Sequence, residues 1–214
     1  QLGDHREAAE LYARLVNDLP ATADADAMLY EWAWVHRALN EQEEADRLLD
    51  QLRSEYPTSR YFADAPSRLA ERAHQAGAYD RASMLLTELT TAESTDPSIL
   101  EHALYLAGQV AAASQAWSEV ESPLTRLIER YPDGKLRLLA EYWRAEASYR
   151  LGRSDEALQR FDELLAKTLN SQQSWAPMVA LRRAQIFAAQ REWSEALEMA
   201  TQIAKACNPY FFHY

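Results

Sequence analysis

One small residue recurs through the chain at nearly even intervals. Alanine stands at positions 8, 45, 82, 157 and 196, with Val120 in the remaining place, and the steps between them are 37, 37, 38, 37 and 39 residues. A fixed period of this size restricts a chain to stacked, self-similar units, each packing mainly on its neighbours. The fifth period shows the unit most clearly. Leu139, Ala140, Tyr142, Trp143, Ala145, Ala147, Tyr149 and Leu151 lead to Gly152, and Ala157, Leu158, Phe161, Leu164 and Leu165 follow. Apolar spacings of three and four place each set on one stripe of a helix. Gly152 can adopt the left-handed conformation that ends the first helix. Asp155 and Glu156 fall in the first turn of the second, where carboxylates meet the positive end of the helix dipole. The expected fold class is all-α: an α-solenoid of antiparallel helix pairs. Residues 1–214 read as a single array of about six repeats.

The chain starts in mid-repeat. Gln1, Leu2, Gly3 and Asp4 match the end of a first helix and the turn after it. Asn208, Pro209, Tyr210, Phe211, Phe212, His213 and Tyr214 read as a helix stop and the opening of a further repeat. The first and last repeats are therefore expected to be incomplete, as in a fragment of a longer chain.

Composition narrows the partners. The formal charge of −11 opposes binding to nucleic acid, which needs clustered Lys and Arg to release counterions, and opposes an anionic membrane for the same reason. Acidic runs such as Glu41, Glu43, Glu44 and Asp46 suit solvated helix faces. No apolar stretch approaches the roughly 18 residues of a membrane span. Cys207 is the single cysteine, so there is no intrachain disulfide framework, and it reads as a packing residue near the last helix end.

The chain resembles the tetratricopeptide repeat family over nearly its whole length. Gly152, Ala157 and Phe161 reproduce the Gly-x4-Ala-x3-Phe spacing of that repeat, Gly77, Ala82 and Leu86 repeat it, and Gly3, Ala8 and Tyr12 open the chain with it. The small residue that the family places seven before the turn glycine is Ala33, Ala70, Gly108, Ala145 or Ala184. The aromatic two residues after the glycine is Tyr79, Trp117 or Trp193, and the proline closing the second helix is Pro20, Pro57 or Pro132. Asn40, Gln115 and Arg191 stand where the family has glycine, so those turns need another left-handed-tolerant or tighter conformation. Pro123 follows Val120 inside an expected helix. A proline there lacks its hydrogen bond and clashes with the preceding turn, which predicts a late start with Ser122 as cap, Pro123 as first residue and a longer internal loop.

The period is longer than the usual repeat of about 34 residues, and the excess is expected between repeats. Asp64 with Pro66, Asp96 with Pro97, and Ser174 with Pro177 mark helix starts after those connections. The phrases Glu-Tyr-Pro-Thr-Ser at 55–59 and Arg-Tyr-Pro-Asp-Gly at 130–134 are similar to the long repeats of bacterial cell-envelope tetratricopeptide proteins, such as outer-membrane assembly lipoproteins. The location left open is the envelope or the cytoplasm.

The resemblance also implies where a partner binds. The family fold it implies is a right-handed α-solenoid, or superhelix, in which the first helix of each repeat lines a concave groove. Counting along the repeats gives Tyr30, Ser67, Tyr105, Tyr142 and Leu181 at one level, then Trp34, Glu71, Gln109, Glu146 and Gln185, then Arg37, His74, Ala112, Tyr149 and Ala188. From these, Tyr30, Trp34, Arg37, Glu71, His74, Tyr105, Gln109, Tyr142, Glu146 and Tyr149 are the candidate partner-binding residues, with Tyr105 and Tyr142 as a short aromatic ladder. Tyr and Trp anchor partners well because they bury large area at small entropic cost. Trp32 and Trp143 fit packing better. Chaperone-tail binders of the family hold a terminal carboxylate with Lys and Asn at these levels, which this chain lacks.

No metal site, cofactor or catalytic residue is expected. His5, His36, His74, His102 and His213 include no i, i+4 pair, and no phosphate loop or nucleophile elbow accompanies the acid pairs. The function implied is a non-catalytic scaffold that holds a protein or peptide segment in the groove. The rival reading is a structural spacer or self-assembly module, in which Leu11, Tyr12 and Leu15 on the helix from Asp4 to Asp18 form an uncovered apolar stripe that self-associates.

Overall fold

A computed structural model describes residues 2–18, 24–92, 96–168 and 176–207 of the chain. Pro20, Ser174 and the segment 208–214 lie outside the described residues, as does the side chain of Cys207. Among the described residues all regular structure is helical, as expected. The helices are α1 (Leu2–Asp18), α2 (Ala25–Ala38), α3 (Gln42–Glu55), α4 (Asp64–Gln75), α5 (Tyr79–Thr91), α6 (Pro97–Ala113), α7 (Trp117–Arg130), α8 (Arg137–Arg150), α9 (Ser154–Thr168), α10 (Ala176–Gln190) and α11 (Trp193–Cys207). They form an α-solenoid of helix pairs: α2 packs on α3, α4 on α5, α8 on α9 and α10 on α11. The chain divides into two compact units, Gln1–Val110 and Ala111–Tyr214.

Five interhelical turns share one design. At the end of α2, Glu41 N–H reaches back to His36 O at 2.9 Å and Asn40 N–H to Arg37 O at 3.0 Å, with Asn40 at φ 63°. The same two bonds close the turns at Gly77, Gln115, Gly152 and Arg191, where φ is 72°, 62°, 74° and 66°. Each is a Schellman motif, in which a left-handed residue lets two backbone N–H groups satisfy the last carbonyls of the helix. Asn40, Gln115 and Arg191 thus adopt the glycine conformation. The strain of a side chain there, roughly 1–2 kcal/mol, is met by the paired hydrogen bonds and by the packing of the helices on either side. Gly152→Ala is expected to destabilise unit 2 by about 1 kcal/mol, purely through backbone strain, since an added Cβ meets nothing within 4 Å. Gln115→Gly should stabilise it by about 0.5 kcal/mol, because relief of strain exceeds the entropy lost by a glycine. Urea denaturation of the two variants checks both signs.

Two local expectations need correction. α7 does not start at Pro123. It begins at Trp117 with Pro123 inside it, and the connection from α6 is as short as the other turns. Starting the helix late would unwind Val120, and Val120, Leu124 and Leu127 form a fully buried i, i+4, i+7 stripe. Burying such side chains contributes about 1.5–3 kcal/mol each, enough to offset a proline that costs about 3 kcal/mol in a helix. The first turn adjusts: Glu119 N–H bonds to Ala116 O at 2.9 Å, an i to i−3 bond, where α5 uses Ala82 N–H to Ala78 O. The second correction is at the start. Gly3 and Asp4 lie within α1 rather than in a turn. Asp4 in the first helical turn favours the dipole and offsets the glycine.

The longer period is accommodated between repeats, as expected. Residues 56–63 fold as consecutive turns through Ser59 N–H to Tyr56 O and Phe62 N–H to Ser59 O, and 131–136 use Gly134 N–H to Tyr131 O. α4 starts at Asp64 and α6 at Pro97, with Asp96 Oδ1 accepting the Ser98 N–H at 2.8 Å as a helix cap.

In unit 1 the core is a continuous leucine and alanine cluster that includes Leu48, Leu52, Leu69, Leu85, Leu86 and Leu89. The small residues Ala33 and Ala70 are buried in it and let first and second helices touch. Ion pairs tie the repeats on the outside: Asp50 with Arg81 at 2.6 Å, Glu88 with Arg53 at 2.8 Å and Asp46 with Arg72 at 3.1 Å. In unit 2, Phe161 is 0% exposed and packs with Ala145, Ala157, Leu164, Val179 and Ile186.

Candidate functional site

Within each unit the first helices of successive repeats lie side by side, and the counted positions meet there. In unit 1, Tyr30 on α2 stacks on Tyr61 with ring centroids 4.3 Å apart, and its hydroxyl donates to Asp64 Oδ2 at the start of α4 at 2.6 Å. Burial, reinforced by the Asp64 bond, pushes the Tyr30 hydroxyl pKa up, so this phenol stays a donor. Trp34, one turn on, meets Tyr30 edge to face at 6.2 Å and leaves 38% of its surface exposed. Two guanidiniums lie over its ring, Arg37 at 4.7 Å and Arg68 of α4 at 5.4 Å. Arg68 also approaches Asp64 at 3.4 Å and Glu71 at 3.7 Å.

Glu71 bridges to the next first helix. Its Oε1 lies 3.0 Å from His102 Nε2 on α6, and this hydrogen bond lowers the Glu71 pKa and raises that of His102. The raised His102 stabilises fully below its unfolded value near 6.5, and that stabilisation is lost as pH rises through the folded value. The lowered Glu71 stabilises above about 4.5, and its contribution is lost as pH falls through the folded value. The bridge is therefore strongest between those limits. Glu71→Gln is expected to lower the His102 titration, followed by NMR, to or below the ordinary histidine range, since the influences that remain, burial and the Arg68 charge, both lower it.

Unit 2 builds a second cluster. Glu146 on α8, counted as a groove residue, is only 2% exposed. Arg182 of α10 grips it with two bonds, Nε to Oε2 at 2.6 Å and Nη2 to Oε1 at 2.8 Å, and Arg150 adds Nε to Oε1 at 2.8 Å. The bond to Glu146 raises the Arg182 pKa. Arg182 also lies over the Tyr149 ring at 5.1 Å and donates to Gln185 Oε1 at 2.9 Å, which accepts from the Tyr149 hydroxyl at 3.3 Å. Tyr142 packs edge to face on Trp143 at 5.7 Å and lies 6.4 Å from Phe161, and burial raises its pKa, with the nearby Glu146 charge adding to the effect.

Several counted positions sit less openly than expected. Tyr105 is 9% exposed and accepts a 3.3 Å hydrogen bond from Gln109, which is itself half-buried. Ser67 and Ala112 are buried, and His74 is half-buried with its ring 6.1 Å from Tyr79. Trp32 and Trp143 are half-buried, in line with packing. The residues that complete the clusters, Tyr61, Asp64, Arg68, His102 and Arg182, were not counted from sequence. Arg68 and Arg182 each follow a counted position, Ser67 and Leu181, by one residue. A rotation of about 100° per residue takes them from the counted strip toward the neighbouring helix, and their charge within such a strip is the signal that points to them.

Among the described residues no group of His, Cys, Asp and Glu is arranged to hold a metal ion, and no helix is long and apolar enough to cross a membrane.

Comparisons with known proteins agree with the geometry. The family model described as Tetratricopeptide repeat matches residues 26–59 and 139–167, which span the α2–α3 and α8–α9 pairs. A search of curated proteins by sequence gives no match. Among solved structures, YrrB, described as a TPR protein with an unusual peptide-binding site, is 17% identical with TM-score 0.68, covering 95% of this chain and 95% of that one. A tetratricopeptide repeat protein from Parabacteroides merdae is 16% identical with TM-score 0.64, over 95% of this chain and 73% of its own. MamA from AMB-1 is 18% identical with TM-score 0.64, over 84% and 90%. At these identities the structures show a shared fold. With the repeated turn and the helix pairs, residues 26–59 and 139–167 are tetratricopeptide repeats and the chain has the fold of tetratricopeptide repeat proteins, a fold that in general serves as a protein-interaction scaffold.

Proposed function

We propose that the chain is a non-catalytic adaptor that holds a peptide or partner segment along the first helices of its repeats. The observation that carries this reading is the set of part-exposed aromatic and polar groups on those helices: Tyr30, Trp34 and Arg37 in unit 1, and Tyr149 with Gln185 in unit 2. Such groups bury large rigid surfaces and keep polar tips for backbone and side-chain bonds, the properties of binding hot spots. Glu71 borders the unit 1 groups beside Arg68, and in unit 2 Glu146 holds Arg182 under the Tyr149 ring. The description of YrrB as having a peptide-binding site accords with the same use of the fold. Short-segment recognition in such a groove gives affinities on the order of micromolar, about −8 kcal/mol.

The test is an affinity capture with the native chain and with a Trp34→Ala/Tyr149→Ala variant whose circular dichroism is unchanged. A partner recovered by the native chain and lost with the variant supports the groove. Equal recovery by both removes it.

A self-assembly module is the alternative, favoured by apolar side chains left open on two helices. Leu11 and Leu15 on α1 are exposed, as are Trp193 and Leu197, four residues apart on α11. A mass in solution that rises with protein concentration, and falls back to one chain in a Trp193→Ser/Leu197→Ser variant, would favour this reading.

A further inference from the structure

We propose that the edge of unit 1 formed by α2, α3 and α4 is a subsite for an aspartate or glutamate side chain of the bound segment, with the neighbouring apolar residue lying on Trp34. This rests on the groove reading above and specifies its ligand. A cleft of about 250 Å³ opens there between Arg37, Asn40 and Gln42 on one side and Arg68, Glu71, Arg72 and Gln75 on the other. It accommodates a side chain rather than a folded surface.

Its charge runs against that of the molecule. The chain carries −11 in total, yet three arginines face two carboxylates, Asp46 and Glu71, in this cleft. Both carboxylates are already engaged, Asp46 by Arg72 at 3.1 Å and Glu71 by His102 at 3.0 Å with Arg68 beside it at 3.7 Å. Arg37 differs from Arg68 and Arg72. Among the described residues it has no carboxylate within 4.0 Å, and its guanidinium is held over the Trp34 ring at 4.7 Å. Stacking on an indole leaves the in-plane N–H donors of a guanidinium free, and their fork matches a carboxylate. The position is thus pre-set: Trp34 fixes the cation in place and keeps exposed surface of its own for an apolar neighbour. In unit 2 the stacked guanidinium, Arg182 over Tyr149, holds Glu146, and its counterpart in unit 1 by register is Arg68, which approaches Asp64 and Glu71. Arg37 is stacked in the same way, and Glu71 acts on it only at longer range than an ion pair.

A phage-displayed library of random peptides, selected in parallel on the native chain, on Arg37→Met and on Trp34→Ala, tests this. Displayed peptides are fused at their C-terminus, so an enriched carboxylate belongs to a side chain and not to a chain end. The native chain is expected to select Asp or Glu next to an aromatic residue or leucine. Arg37→Met, with an unchanged melting profile, should lose the acidic preference and bind the selected peptides at least about tenfold more weakly, the effect of one charge-assisted hydrogen bond. Glu→Gln in a selected peptide should cause a similar loss. Peptides without acidic enrichment that still depend on Trp34 would overturn the carboxylate subsite and leave the groove standing. Peptides indifferent to Trp34→Ala, or no selected peptides, would overturn the groove reading and this inference with it.

Discussion

Phe161→Ala should lower the stability of unit 2 by about 4 kcal/mol, within the 3–5 kcal/mol found for large-to-small changes at buried phenylalanines. The ring is 0% exposed and packs with Ala157 and Leu164 of its own helix and with Ala145 of α8, with Tyr142 at 6.4 Å between centroids. Alanines at 145 and 157 bring the two helices close, and neither can expand to fill the space a phenylalanine leaves. Because repeats are stabilised by their own packing and that of their neighbours, the loss should show first as reduced amide-exchange protection in α8, α9 and α10. Phe161→Leu, which keeps most of the volume, should cost less than about 1.5 kcal/mol. An equal effect of the two substitutions would mean that the position does not pack as described.

Arg182→Ala is expected to cost about 3–5 kcal/mol, because it strands a carboxylate rather than because the ion pair is strong. Glu146 is 3% exposed at its side chain and keeps only Arg150, which is 44% exposed, when Arg182 is removed. The double substitution Glu146→Leu/Arg182→Met should recover most of the loss, since apolar groups of similar size need no compensating charge. A urea-denaturation cycle over the single and double variants measures this coupling. Additive effects would show that Glu146 and Arg182 do not depend on each other.

The period made the helix pairs legible in the sequence, because Ala45, Ala82 and Ala157 are the places where two helices touch and all three are fully buried. Turn geometry was legible only in part. Glycine announces a left-handed turn at 77 and 152, but Asn40, Gln115 and Arg191 adopt it under the pull of two backbone hydrogen bonds that no side chain reports. Pro123 was misread because local propensity was weighed without the burial of Val120, which only packing reveals. At the candidate site, position on the first helix was readable while exposure was not. Glu146 and Tyr105 occupy groove positions by count, yet Arg182 covers the first, and burial with a Gln109 bond withdraws the second.

The ties between repeats differ in how wet they are, and this gives ionic strength a selective grip. Asp50–Arg81 and Arg53–Glu88 link α3 to α5 through side chains that are 29–44% exposed. Ions in solution reach such pairs, and at 1 M salt the screening length shrinks to about 3 Å. Glu146–Arg182 links α8 to α10 out of their reach. Added salt therefore loosens the first link and spares the second, so stiffness between the repeats of unit 1 is set in part by the medium, while that around Glu146 is set by the protein alone.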